Sequence, residues 1–204
     1  MIKTALYSKV INYDFENLFK KKGYAYFTNG AYNLNIIGIR TSEDKVTNKF
    51  DDILVLIYKT PNGNWAKQIY KITTDPGKYY MNKPSNPKGT AILVPGQYRG
   101  AYKIGFHRGK YKALCQHKLV KVYRDNNKNE IYDYNPDNID EGFFGINIHK
   151  AGKDSKQVDT WSAGCQVFAV EREFKSFMEF CQKQIDYTKC KTFTYTLLRE
   201  EDLV

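Results

Sequence analysis

The first twenty or so residues carry apolar side chains at helical spacing. Val10, Ile11, Phe15, Leu18 and Phe19 fall on a loosely helical stripe, which Gly23 ends. The pattern predicts a helical N-terminal segment over residues 1–23, packed on the remainder of the chain.

Downstream of Gly23 the hydrophobic pattern changes to short apolar runs that are typical of β-strands. The turn sequence Pro61-Asn62-Gly63-Asn64 separates two of these runs and predicts a hairpin. Prolines, glycines and polar residues between 73 and 89 predict a long loop. The predicted strands cover residues 35–40, 53–59, 65–72, 90–94, 111–115, 119–123, 143–149, 164–169 and 193–197.

An amphipathic helix is predicted near the C-terminus, over residues 171–185. Its apolar stripe includes Phe174, Phe177 and Cys181, so Cys181 is expected to be a small core residue rather than a reactive thiol. The elements together predict one domain over residues 1–204, mainly β with flanking helices (α+β).

Candidate chemistry is concentrated between residues 143 and 168. In the predicted strand that ends at His149, Asn147 and His149 face the side opposite to Ile146 and Ile148. Sixteen residues after His149 comes Cys165, preceded by Gly164, which lets another backbone or a substrate approach closely.

These residues suit thiol chemistry. A free thiol is only slightly ionised at neutral pH, so a nucleophilic Cys165 needs a base such as His149. Backbone N–H groups around Gly164 and Cys165 are expected to hold the oxyanion of a tetrahedral intermediate. A catalytic Cys165 is therefore expected to react with iodoacetamide fastest of the four cysteines, at a pH below that of an ordinary thiol.

The segment resembles the signature of the L,D-transpeptidases (YkuD-like), in which a His and a loop precede Ser or Thr, His, Gly and Cys. His149, Ser162, Gly164 and Cys165 carry the resemblance, and Pro87-Lys88-Gly89-Thr90 is similar to another conserved region of that family. The Asn-Ile-His and Trp-Ser-Ala-Gly-Cys stretches also resemble phage-encoded members.

The resemblance implies a β-sandwich catalytic domain over residues 24–204, with Cys165 as nucleophile and His149 as base. It implies an acyl-enzyme reaction on peptidoglycan stem peptides without a metal or organic cofactor, and it places Gly164, Ser162, Asn147 and Ala163 around the oxyanion and the substrate. The family's second His is replaced by Ala163, and its Arg or Asn after the Cys is absent. Simple hydrolysis is therefore better supported than cross-linking of two stems.

Several residues also admit a structural interpretation. Ser162 suits its own turn, Asn147 suits a solvated strand position, and Trp161 suits the core. A rival hypothesis is a zinc site formed by His107, in a Gly-flanked turn, with Cys115 and His117. The alternative for His107 in this turn is a position at the border of the main cleft.

The net charge of +10 suits a polyanionic partner, but no nucleic-acid-binding motif accompanies it. No apolar run is long enough for a membrane span, and the first ten residues lack the features of a secretory signal. A cell-wall target then requires another delivery route, such as phage lysis or a virion with its partner proteins. The alternative function is a non-catalytic wall-binding or virion structural protein.

Overall fold

The computed structural model describes residues 4–204 of the chain, with side chains from Leu6 onward. It is mainly β, with 38% strand and 22% helix, which confirms the predicted class. The helices are α1 (Thr4–Ile11), α2 (Phe15–Lys22), α3 (Lys78–Asn82) and α4 (Glu171–Thr188). The strands are β1 (Asn35–Arg40), β2 (Asp52–Lys59), β3 (Trp65–Thr73), β4 (Thr90–Leu93), β5 (Gly96–His107), β6 (Tyr111–Gln116), β7 (Val120–Asp125), β8 (Ile139–Gly142), β9 (Ile148–Lys150), β10 (Gln166–Phe168) and β11 (Thr192–Arg199).

Eight strands form a closed barrel in the order β1-β11-β5-β6-β9-β10-β3-β2, and β4, β7 and β8 form a separate three-stranded sheet. This arrangement differs from the expected sandwich of two facing sheets. The difference arises because the short strands β9 and β10 bridge β6 to β3, and so close the larger sheet on itself.

The largest core cluster fills the space between the barrel, the small sheet and α4. Helix α4 contributes Phe174, Phe177 and the fully buried Cys181, which confirms its predicted stripe. The Phe168 ring centroid of β10 lies 5.5 Å from that of Phe174 and 5.1 Å from that of Phe177. No helix within residues 4–204 is both long and apolar enough to cross a membrane.

The N-terminal segment contains two helices rather than one. The Asp14 side chain accepts a 3.0 Å hydrogen bond from the Asn17 N–H and so begins α2, while Gly23 ends it at a φ of 68°. Both helices pack on β1 and β2 through a second apolar cluster. The Lys67 ammonium donates to the carbonyls of Val10 and Ile11, which satisfies the C-terminal end of α1.

The hairpin of β2 and β3 is confirmed, whereas the predicted strand over residues 143–149 is largely wrong, because only β9 forms. Gly145 turns the chain with a φ of 70°. The Gln116 side-chain oxygen accepts hydrogen bonds from the Phe144 and Ile146 N–H groups, at 3.1 and 3.0 Å. A side chain thus replaces the neighbouring strand along this stretch.

The sequence reading missed β5, which is twelve residues long. Its glycines, Gly96, Gly100 and Gly105, interrupt the apolar pattern that predicts strands. Gly100 and Gly105 leave space for neighbouring side chains: a Cβ on Gly105 would lie 3.2 Å from the Cys115 Sγ. This strand carries His107 to the candidate site.

Candidate active site

The candidate site lies on one face of four neighbouring strands, β5, β6, β9 and β10. Gly105 pairs with Ala113, and Val167 pairs with His149. The pairing of Leu114 with Ile148 places His149 beside Ala113. Paired residues point to the same side of a sheet, so the His149 side chain lies on the same face as Ala113 and Gly105, which are both small.

Cys165 joins this face just before β10 begins. It packs against the apolar cluster that contains Val167, the pairing partner of His149. Cys165, two residues before Val167, is therefore a diagonal neighbour of His149 across the parallel strands β10 and β9.

His149 is 2% exposed, and its ring has defined hydrogen-bond partners. The Nδ1 atom lies 2.9 Å from the Lys150 carbonyl oxygen and 3.3 Å from the Tyr111 hydroxyl. Because a carbonyl oxygen only accepts, we assign the ring proton to Nδ1, which leaves Nε2 with a free lone pair. Burial lowers the pKa of His149 to about 3, so its imidazole is neutral at physiological pH.

His107 is a residue of the candidate site that the sequence placed in a Gly-flanked turn bordering the main cleft. It ends β5 rather than lying in a turn, and its ring stacks on that of His149 with centroids 4.0 Å apart. The Asn147 Nδ2 donates to the His107 Nδ1 at 3.1 Å, and the Asn147 Oδ1 accepts from the Gln116 N–H at 2.9 Å. Asn147 thus orients His107, and through the stack it supports His149.

The Cys165 thiol is half-buried. It donates to the Gly145 carbonyl at 3.3 Å and accepts from the Asn147 N–H at 3.4 Å. Burial raises the pKa of Cys165 to about 11, against the opposing effect of the Asn147 N–H. Among the hydrogen bonds of residues 4–204, none joins this thiol to the His149 ring. The free site therefore holds a neutral thiol beside a neutral imidazole.

Ser162 and Gly164 have structural roles that exclude the predicted direct contacts. Ser162 is fully buried; its Oγ accepts from the Gly164 N–H at 3.1 Å and donates to the Cys165 carbonyl at 2.9 Å. Ser162 therefore does not reach a substrate, and the Gly164 N–H is not free for an oxyanion. The Cys165 N–H takes part in no hydrogen bond among those of the described residues, so it remains available as an oxyanion donor.

Gly164 is required for close approach to the small sheet. Its φ is 120°, and a Cβ at this position would lie 2.3 Å from the carbonyl oxygen of Ala91 in β4. The expectation that this glycine admits another backbone therefore agrees with the geometry, and the backbone is that of β4.

Ala163 lines a cleft of about 320 Å³ beside the Cys165 loop. Tyr80, Thr90 and Phe143 form other parts of its wall, and Phe143 is 66% exposed. The side chain of Arg124 also lines the cleft, but it is already held by Asp140, 3.2 Å away. Ala163 thus faces this cleft, whose lining residues include neither Cys165 nor His149.

The rival zinc hypothesis is not supported. No three His, Cys, Asp or Glu side chains of the described residues are grouped so that they could hold a metal ion. His117 lies beyond β6 and is exposed, while His107 bonds to Asn147. The expectation of a buried Trp161 is also wrong, because its side chain is 44% exposed.

Tyr111 and Gln116 also support the site, and no local motif indicates either of them. Both lie on β6, whose pairing with β9 becomes visible only in the folded sheet.

Comparison of the chain with family models, with curated proteins and with solved structures finds no match in any of the three.

Proposed function

We propose that the chain is a cysteine-dependent acyl-transfer enzyme, a peptidase or transpeptidase acting on peptidoglycan stem peptides. Cys165 is the nucleophile and His149 is the base. The observation that carries the proposal is the 2.9 Å contact between the His149 Nδ1 and the Lys150 carbonyl, because it leaves Nε2 with a free lone pair on the face shared with Cys165.

The reaction begins with a neutral pair, so proton transfer accompanies attack instead of preceding it. A substrate carbonyl next to Cys165 replaces the thiol's bond to Gly145, and the thiol proton moves to the His149 Nε2 as the C–S bond forms. The Cys165 N–H stabilises the oxyanion. The leaving amine then takes the proton from His149, which leaves a thioester on Cys165.

The second half of the reaction regenerates the thiol. His149 accepts a proton from water or from an acceptor amine as this nucleophile attacks the thioester, and Cys165 then leaves with a proton. His107 acts as a positioning residue, because its stack keeps the His149 ring in one orientation.

The alternative is a non-catalytic wall-binding or virion structural protein that retains the fold. The raised pKa of Cys165 and the missing thiol–imidazole hydrogen bond among the described residues favour this alternative. The replacement of the second His of the L,D-transpeptidase signature by Ala163 also favours the non-catalytic alternative. Only an activity measurement separates the two functions.

The proposal is tested by mass spectrometry of purified peptidoglycan and its tetrapeptide fragments after incubation with wild type and with Cys165→Ala. Shortened or re-linked stems from the wild type alone support the proposal and show whether water or an amine resolves the thioester. Cys115→Ala is the matched control, since it removes a half-buried thiol from the same face. Unchanged fragments in all samples, across several wall chemistries, refute the proposal in favour of the non-catalytic alternative.

A further inference from the structure

The excess of positive over negative side chains is concentrated in one segment of the chain, which includes parts of the candidate site. Residues 76–124 hold eleven of the 32 Lys and Arg residues and none of the 22 Asp and Glu residues. The rest of the chain therefore carries 21 basic and 22 acidic side chains, which nearly cancel. The segment includes cleft-lining residues from Tyr80 to Ala91 and the hairpin of β5 and β6.

Arg108 stands out in this segment because of its backbone. It forms the tip of the β5–β6 hairpin with Gly109, where the Lys110 N–H donates to the His107 carbonyl at 2.9 Å. Both tip residues have positive φ, 49° for Arg108 and 70° for Gly109. Such turns favour Asn, Asp or Gly at the first position, and a left-handed conformation is unfavourable for Arg. Strain of this kind is concentrated at functional sites.

The Arg108 guanidinium is also unpaired and close to the site. It is exposed, and the ion pairs of the described residues leave it without a carboxylate partner. Arg108 directly follows His107, whose ring stacks on His149. Burial dominates the pKa of both His149 and Cys165, and the charge of Arg108 additionally lowers each of them.

We propose that Arg108 binds a carboxylate of the substrate next to the bond that Cys165 attacks, so that the site prefers acyl donors with a free negative charge. The selection of acyl donors during turnover rests on the proposed function. The preference for an anion at the thiol does not depend on turnover and is measurable without it.

The test compares two alkylating agents of similar size at Cys165. Iodoacetate carries a carboxylate and iodoacetamide does not, and both are applied at about pH 9, where a small fraction of the thiol is ionised. Peptide mass spectrometry gives the rate at Cys165 for wild type, Arg108→Asn and Lys110→Gln. We expect the iodoacetate to iodoacetamide rate ratio to fall about threefold in Arg108→Asn, the size of a modest ion pair, and to stay unchanged in Lys110→Gln.

Lys110→Gln removes the same charge from the same turn, so it controls for the overall field of the protein. An equal ratio in wild type and Arg108→Asn, or an equal fall in both variants, overturns the inference. Asn suits the left-handed position, so Arg108→Asn should fold at least as stably as wild type. A fall specific to Arg108→Asn without any Cys165-dependent cleavage of peptidoglycan supports the anion site while refuting the proposed function.

Discussion

At the scale of single residues, burial moves the two reactive groups of the site in opposite directions. It raises the pKa of Cys165 to about 11 and lowers the pKa of His149 to about 3. Both groups are neutral across the physiological range, and a preformed thiolate–imidazolium pair is not stabilised. The low-pKa thiol expected from the sequence is therefore not what the buried site favours.

The first prediction concerns the pH dependence of thiol reactivity. The rate of Cys165 alkylation by iodoacetamide should keep rising with pH up to about 10, without a plateau near neutrality, because burial disfavours the thiolate. Peptide mass spectrometry at a series of pH values measures it, with the exposed Cys190 as the reference thiol. A plateau below about pH 8 would mean that a thiolate is already present in the free protein.

The second prediction concerns His107. His107→Ala should raise the pKa of His149 towards its ordinary value, because burial of His149 decreases and the neighbouring imidazole is removed. NMR titration of the imidazole signals measures the change. His117→Ala, at an exposed histidine, is the control and should leave His149 unaffected. An unchanged His149 titration in His107→Ala would rule out the positioning role.

At the scale of elements, the loop that carries Cys165 depends on contacts with its neighbours. The Ser162 carbonyl accepts from the Gly77 N–H at 2.9 Å, and the Gly164 backbone lies against β4. Gln166, fully buried, accepts a 2.8 Å hydrogen bond from the Tyr195 hydroxyl of β11. The thiol is thus held between the barrel and the three-stranded sheet.

The third prediction separates backbone strain from close approach at this loop. Gly164→Ala should lower the free energy of unfolding by about 3 kcal/mol or more, because φ is 120° and the new Cβ meets the Ala91 carbonyl. Gly63→Ala is the matched control, with positive φ but no atom within 4 Å of the new Cβ, and should cost only about 1 kcal/mol. Chemical denaturation measures both values, and equal losses would show that the contact with β4 is unimportant.

At the scale of the whole molecule, one buried polar network joins the barrel to the small sheet. Arg40 is fully buried at the end of β1; its Nε lies 2.8 Å from the Asp75 carboxylate, and its Nη1 donates to the Leu93 carbonyl of β4 at 3.0 Å. The Asp52 carboxylate accepts from the Thr74 N–H at 2.7 Å. Two buried carboxylates therefore share the region around one guanidinium.

The pH dependence of this network follows from its pKa values. Burial raises the pKa values of Asp52 and Asp75 to about 6, above their ordinary value of 3.8. The folded protein therefore binds these protons more tightly than the unfolded chain. The contribution of the two carboxyl groups to stability is largest at acidic pH and falls as the pH rises from about 4 to about 6.

The fourth prediction is that Arg40→Met destabilises the fold by about 3–5 kcal/mol at pH 8, because it leaves two buried carboxylates without their cation. The loss should be smaller at about pH 5, where these groups take up protons. Urea unfolding at both pH values measures the loss. Arg99→Met is the control: Arg99 is exposed, so its replacement should change the free energy of unfolding by no more than about 0.5 kcal/mol. Equal losses at the two pH values would contradict ionised carboxyl groups in the network.

The local features of this protein were predictable from its amino-acid pattern alone. Apolar periodicity located α4, its buried Cys181 and the hairpin of β2 and β3. The Gly-Cys pair and the preceding His indicated the segment that forms the candidate site. These features were predictable because each depends on neighbours within a few residues, where side-chain spacing directly reports the buried side of an element.

Three features depend on long-range folding: the closure of the barrel, the stacking of His107 on His149, and the hydrogen bonds by which Gln116 takes the place of a neighbouring strand. Long-range folding also decided the protonation states at the site, because burial is set by the packing of distant segments. Spacing along a chain gives no measure of which strands become neighbours. The partners of His149 and Cys165 therefore followed from long-range pairing, which no local pattern encodes.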